Sequence, residues 1–187
     1  MKSAVVASVV VLAMSVTPVF ARGRKQNTTT KQMSDQEFVM SAAHGNMAEI
    51  ELGKLAETRT SSDQVKTFAK RMVDDHQKAL DSLKAVAKNE KITLPSAIDA
   101  KDQALKDRLQ KLSGTVFDRE YMSAMVRDHR QDVAEFRAES TTAQFADVKQ
   151  YASSTLPTLE DHLKLARSTD KAVVGTSGRP GSKKPVG

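Results

Sequence analysis

Met72-Val-Asp-Asp-His76 and Met125-Val-Arg-Asp-His129 are near-copies of one five-residue stretch, each ending on a histidine four residues after a methionine. Side chains four apart share one face of a helix, so each copy offers a thioether and an imidazole to the same neighbour. Imidazole and carboxylate together suit Zn, Cu(II) or Fe, and a thioether beside them shifts the preference toward copper. Glu49 and His162 lie in two other segments of helical pattern. The ligand-type set is therefore Glu49, His76, His129 and His162, with Asp132, Met72 and Met125 as accessories, and it fits one transition metal or another small ligand. The same residues have a cofactor-free reading, a closed network in which Glu49 accepts from His76 or His162. That network would only specify packing, as in a structural or stress-related envelope protein. Asp75 and Asp128 precede their histidines by one residue, about 100° round the helix, so their role is to orient a histidine on a neighbouring helix. His44 reads as solvated surface. The chain has no cysteine, no glycine-rich phosphate loop and no Glu-x-x-His, which favours a binding protein over an enzyme.

Four long amphipathic segments must position these groups. Ser34-Asp-Gln-Glu37 fits a capping box, after which Phe38, Ala42, Glu49, Leu52 and Ala56 fall on one stripe. A second helix over 63–88 centres its stripe on Val65, Met72, His76 and Leu83. A third over 117–139 centres on Met122, Met125, His129, Val133 and Phe136. The fourth, over 144–168, turns Phe145, Val148, Ala152, Leu156, Leu159, Leu163 and Ala166 inward, with His162 about 50° off that line. Pro157 lies inside this helix and predicts a kink, with the carbonyl of Ser153 losing its helical partner. Rise per residue puts His76, His129 and Glu49 at similar heights and His162 about 10 Å from His129. Residues 89–98, closed by Pro95, and a short helix over 99–111 form a crossover long enough for the second and third long helices to run parallel. The expected fold is an all-α, ferritin-like four-helix bundle made of two helical hairpins joined by that crossover. An alternative is two hairpins that associate only in a homodimer.

Outside the bundle, residues 1–21 read as a signal peptide: Lys2, an apolar run from Ala4 to Phe20, and Val19-Phe20-Ala21 before the cut. The mature chain is expected to be periplasmic or secreted, with no membrane span left after cleavage. Residues 22–33 read as a basic linker, 34–169 as the helical domain and 170–187 as a disordered basic tail. The net charge of +6 comes from these arms, because all 23 acidic residues fall between 33 and 170 against 20 Lys and Arg there. Such a distribution argues against a nucleic-acid-binding face and for weak attraction of the arms to anionic envelope surfaces.

Four motifs occur in order: Phe38-Val-x-x-Ala-Ala-x-Gly-x-Met-Ala-Glu49-x-Glu-Leu-Gly-Lys-Leu-Ala56, Val65-Lys-x-Phe-Ala-x-x-Met-Val-x-Asp-His76, Phe117-Asp-Arg-x-Tyr-Met with Met125-Val-x-Asp-His129, and Thr155-Leu-Pro-Thr-Leu-x-x-His162-Leu. Over about residues 34–168 the chain resembles the exported bacterial family called domain of unknown function 4142. The resemblance implies a ferritin-like four-helix fold and a periplasmic or secreted location, and it implies no established activity. Di-iron members of the wider ferritin-like group place Glu three residues before the ligand His. Here those positions are Val73 and Leu159, which counts against dinuclear oxygen chemistry and leaves a mononuclear site open.

Overall fold

A computed structural model describes residues 33–176, which belong to one compact unit. The expected signal peptide, most of the linker and the far tail, residues 1–32 and 177–187, lie outside the described residues. Five helices follow one another: α1 (Asp35–Arg59), α2 (Asp63–Asn89), α3 (Ala100–Leu109), α4 (Gly114–Thr142) and α5 (Ala146–Thr176). No strand occurs among the described residues, so the all-α class stands. None of these helices is long and apolar enough to cross a membrane.

The capping box at α1 forms as the sequence requires. Ser34 Oγ accepts from the Glu37 N–H, and the Glu37 carboxylate accepts from the Ser34 N–H at 2.8 Å. Met33, just ahead of the cap, packs on the cluster that contains Phe38 and fixes how the chain enters the helix. Asp99 caps the crossover helix α3. α5 continues to Thr176, so residues 170–176, assigned from sequence to the tail, are helical. Val173 explains this, because it buries against the apolar cluster around Phe68 and Tyr121. Pro157 sits inside α5 on an exposed position beside exposed Ser153, where water can serve the freed carbonyl. Phe145, expected inward, is 43% exposed. It precedes α5, and its N–H is held by Asp35, which turns its ring out of the stripe.

The long helices close a ring in the order α1, α2, α5, α4 within one chain. Their directions follow from contacts at the ends. Buried Asp35 at the start of α1 accepts from the backbone N–H groups of Gln144 and Phe145, between the end of α4 and the start of α5. At the other end, Asp118 near the start of α4 binds Thr60 and Ser61, in the turn between α1 and α2. Asn89 at the end of α2 donates to Asp147 at the start of α5. α2 and α4 therefore lie on a diagonal of the ring and run parallel, as the crossover predicts.

The apolar core is divided in two. One cluster gathers Leu52, Val65, Phe68, Met72, Tyr121 and Met125; the other gathers Phe38, Leu83, Val133, Phe136, Tyr151 and Leu159. Each long helix passes from one cluster to the other through a polar residue: Glu49 with Asn46 on α1, His76 on α2, His129 on α4 and His162 on α5. A polar layer thus crosses the middle of the bundle.

Candidate metal centre

Apart from Tyr151, the buried residues of α5 recur as Val148, Ala152, Leu159, His162, Ala166, Thr169 and Val173. That is a seven-residue rhythm of alternating three and four steps, and it puts His162 at the centre of the stripe instead of 50° off it. Leu156 and Leu163, given full core weight in the sequence, are only partly buried. The depth expected for His162 needs the same correction. Its ring lies 5.4 Å from that of His129 and 5.3 Å from that of His76, and the His76 and His129 rings are 5.6 Å apart. Three imidazoles from α2, α4 and α5 form a nearly equilateral triangle, exposed by only 4%, 0% and 1% for His76, His129 and His162.

Each ring has one nitrogen engaged outward. Asn46 Nδ2 donates to the Ala42 carbonyl at 2.7 Å and to Tyr151 Oη at 3.1 Å, so its Oδ1 is the atom that faces His76 Nδ1 at 3.0 Å and accepts a hydrogen bond from that N–H. His129 Nδ1 donates to the Met125 carbonyl at 2.9 Å. His162 Nε2 donates to Asp75 Oδ2 at 3.1 Å. Burial pushes the Asp75 carboxyl up, but His162, Lys78 and Arg71 hold it down at about 2, so it stays an acceptor. The remaining nitrogens, His76 Nε2, His129 Nε2 and His162 Nδ1, are buried without partners. Tautomer logic makes all three lone-pair acceptors.

Burial also keeps the rings neutral. It lowers His76 well below the ordinary histidine value, helped by His129 and His162, and it lowers His129 to about 4, helped by His162. His162 is lowered by burial as well, against the pull of Asp75. Each ring offers one nitrogen such that the three lie within 4.8 Å of one another, the one group of this kind among the described residues. Donors about 2.0 Å from a tetrahedral ion stand roughly 3.3 Å apart, so small inward rotations suffice to close on an ion.

The other sequence candidates divide. Glu49 is buried with Oε1 at 3.7 Å from His129 Nδ1, on the outer side of that ring, and stands apart from the triad. Burial raises its carboxyl well above the usual range, followed by the charges of Asp132 and Asp128. The closed network in which Glu49 accepts from His76 or His162 does not form, since those rings are tied to Asn46 and Asp75. Asp132 is partly exposed in a cleft beside α1 and is pushed up to about 8 by burial and by Glu135 and Asp128. Met72 and Met125 are fully buried in the cluster of Phe68 and Tyr121, as core packing. Asp75 takes the orienting role assigned to it, whereas Asp128 faces Lys101 at 3.6 Å. His44 is not plain surface, for its Nδ1 is buried and unpartnered. Asn46 was missed. Its signal was its position three residues before Glu49 on α1, one turn away on the same side.

The family described as Domain of unknown function (DUF4142) matches the chain over residues 21–169. No curated protein matches it. Among solved structures the chain is similar to one described as CopM in the Cu(II)-bound form, with a TM-score of 0.64 and 16% sequence identity, over 75% of this chain and 98% of that one. At that identity the likeness is one of fold.

Proposed function

This chain belongs to the DUF4142 family, and from that premise we propose that it is an exported metal-binding protein whose helical bundle holds one transition-metal ion on His76, His129 and His162. The observation that carries the reading is three buried imidazoles that each offer a nitrogen within 4.8 Å of the other two and each keep one buried nitrogen without a hydrogen-bond partner. Imidazole rings that only specified packing would be oriented so that one ring's N–H met another's lone pair. Here every N–H is spent on an outer acceptor, and a Lewis acid is what satisfies the three nitrogens left over.

Neutral nitrogen donors suit Cu(II) and Zn(II). Copper is the first choice, supported by a structural neighbour that is described as Cu(II)-bound. Residues 1–21 supply the export signal, and the basic arms draw the protein weakly to anionic envelope surfaces. No group in the layer is placed as an attacking nucleophile, so the reading is binding without turnover.

Metal analysis of the purified mature chain, with Cu(II) and Zn(II) titrations by calorimetry, tests it. One ion per chain is expected, with loss of tight binding in H76A/H129A. Equal binding by wild type and that double variant would overturn the proposal.

A further inference from the structure

Between α1, the start of α3 and α4 lies a cleft of about 170 Å³. Its walls carry Glu49, Asp99, Asp102, Asp128 and Asp132 against one ammonium group, that of Lys101. Acids gathered on a surface are commonly no more than a solvated face, but this set has two further properties. The first is Glu49, 4% exposed, which lines the cleft with a buried Oε2 that has no hydrogen-bond partner. An oxygen kept from water without a donor is left unsatisfied, and a cation that displaces the proton favoured there by burial would satisfy it.

The second property is connection. Gly45 and Asp132 line the cleft and also a crevice of about 10 Å³ whose other walls include Asn46 and His76. That crevice is about one water molecule in size. Cleft and crevice thus share Gly45 and Asp132 as walls, and the crevice reaches one ring of the triad, that of His76. Glycine inside a helix costs about 1 kcal/mol relative to alanine. At Gly53 packing requires it, because a Cβ would stand 2.7 Å from Val73 Cγ2 and 3.0 Å from the Ala69 carbonyl. At Gly45 packing does not, since a Cβ would meet nothing within 4 Å.

We propose that this cleft docks a hydrated divalent cation and passes it by way of Gly45 to the histidine triad. The inference rests on the triad being a metal site. The carboxylates of the cleft are not close enough together to join a compact ligand group, which suits holding an ion through its water shell. Their field draws cations, which compete with the protons that burial favours on Glu49 and Asp132, and the narrow crevice admits the ion only as it sheds water and takes up imidazole nitrogen.

Stopped-flow loading of the full mature chain with Cu(II), read by quenching of tyrosine fluorescence, tests the route. G45L adds a side chain into open space on a helix that it otherwise favours. It should slow loading about tenfold or more at every salt concentration, with the equilibrium affinity unchanged. D128N/D132N should slow loading about tenfold at low ionic strength and flatten its salt dependence. Wild-type loading rates in both variants would overturn the route and leave the triad standing. The docking step has its own test, Mn(II) titration followed by electron paramagnetic resonance in H76A/H129A. Weak binding that D128N/D132N abolishes is expected. Mn(II) binding that is absent, or indifferent to those two aspartates, would overturn docking whatever the triad does.

Discussion

Replacing His129 by leucine separates a metal site from a packing device, because the two make opposite demands on the metal-free protein. Leucine has a similar volume, so little cavity is left. The substitution removes one buried nitrogen without a partner, an arrangement that costs about 1–3 kcal/mol, and one hydrogen bond to the Met125 carbonyl worth about 1 kcal/mol. That carbonyl keeps its helical N–H. The metal-free variant should be unchanged or up to about 2 kcal/mol more stable, which at roughly 3 °C per kcal/mol for a domain of this size is a rise of about 0–6 °C in Tm. With free metal at about a thousand times Kd, binding to the folded state alone adds about 4.1 kcal/mol to wild type, a rise of about 12 °C. H129L should show almost none of that rise. Thermal unfolding by circular dichroism, with chelator and with excess Cu(II), gives all four values. If H129L melted several degrees below wild type in chelator and rose as much as wild type with metal, the converging nitrogens would be neither a cost nor a site.

The groups that orient the triad should matter to metal affinity as well as to stability. D75A and N46L each leave one ring N–H without its acceptor, and either should weaken metal affinity about 10- to 100-fold in a calorimetric titration. Stability against pH has a sign on each side. His129 is held at about 4 against an ordinary 6.5, so the folded state binds fewer protons than the unfolded between those values, and metal-free stability rises with pH across that window. Asp132, pushed up to about 8, keeps a proton that the unfolded chain has released above its ordinary 3.8, so its effect on stability is lost as pH rises toward 8. Because His76 and His162 are lowered as well, urea unfolding of the metal-free protein should be hardest near the histidine value of 6.5, and D132N should flatten the alkaline side and steepen the acid side, since its window overlaps that of His129. G53A should lower stability by about 1–3 kcal/mol in the same assay, because its Cβ meets the Ala69 backbone carbonyl as well as Val73.

Much of this architecture was legible because helical periodicity and capping are local. The capping box at Ser34, the stripes through His76 and His129, and the parallel course of α2 and α4 all follow from spacing and loop length. Assigning Asp75 to a neighbouring helix's histidine needed only its rotation of about 100° from His76. What local reasoning missed depended on which neighbour covers each face. His162 looked peripheral because Leu156 and Leu163 were weighed as core, whereas the packed bundle follows a seven-residue rhythm that partly exposes both. Asn46 escaped notice and His44 read as plain surface because α1 is covered on more than one side, by α2, by α4 and by the crossover helix α3. Glu49 was placed correctly in the interior, yet its neighbours were not readable. Which ring it faces depends on the azimuth of α1 relative to α4, and no spacing within α1 sets that.

The two Met-Val-x-Asp-His copies end in different chemistry for a reason that lies in the ring of helices. α2 and α4 are parallel and diagonal, so the residue one step before each histidine turns in the same sense round its helix. From α2 that sense leads to α5, where Asp75 meets His162. From α4 it leads to α1, where the interior group at the same level is Glu49, a carboxylate and not an imidazole. Asp128 has no N–H to accept there, and two acids side by side repel. It turns instead to Lys101 and to the cleft that it shares with Glu49 and Asp132. One repeated sequence thus supplies both halves of the proposed cation site. Where its aspartate finds a histidine it fixes a neutral nitrogen donor, and where it finds a glutamate it leaves negative charge facing water.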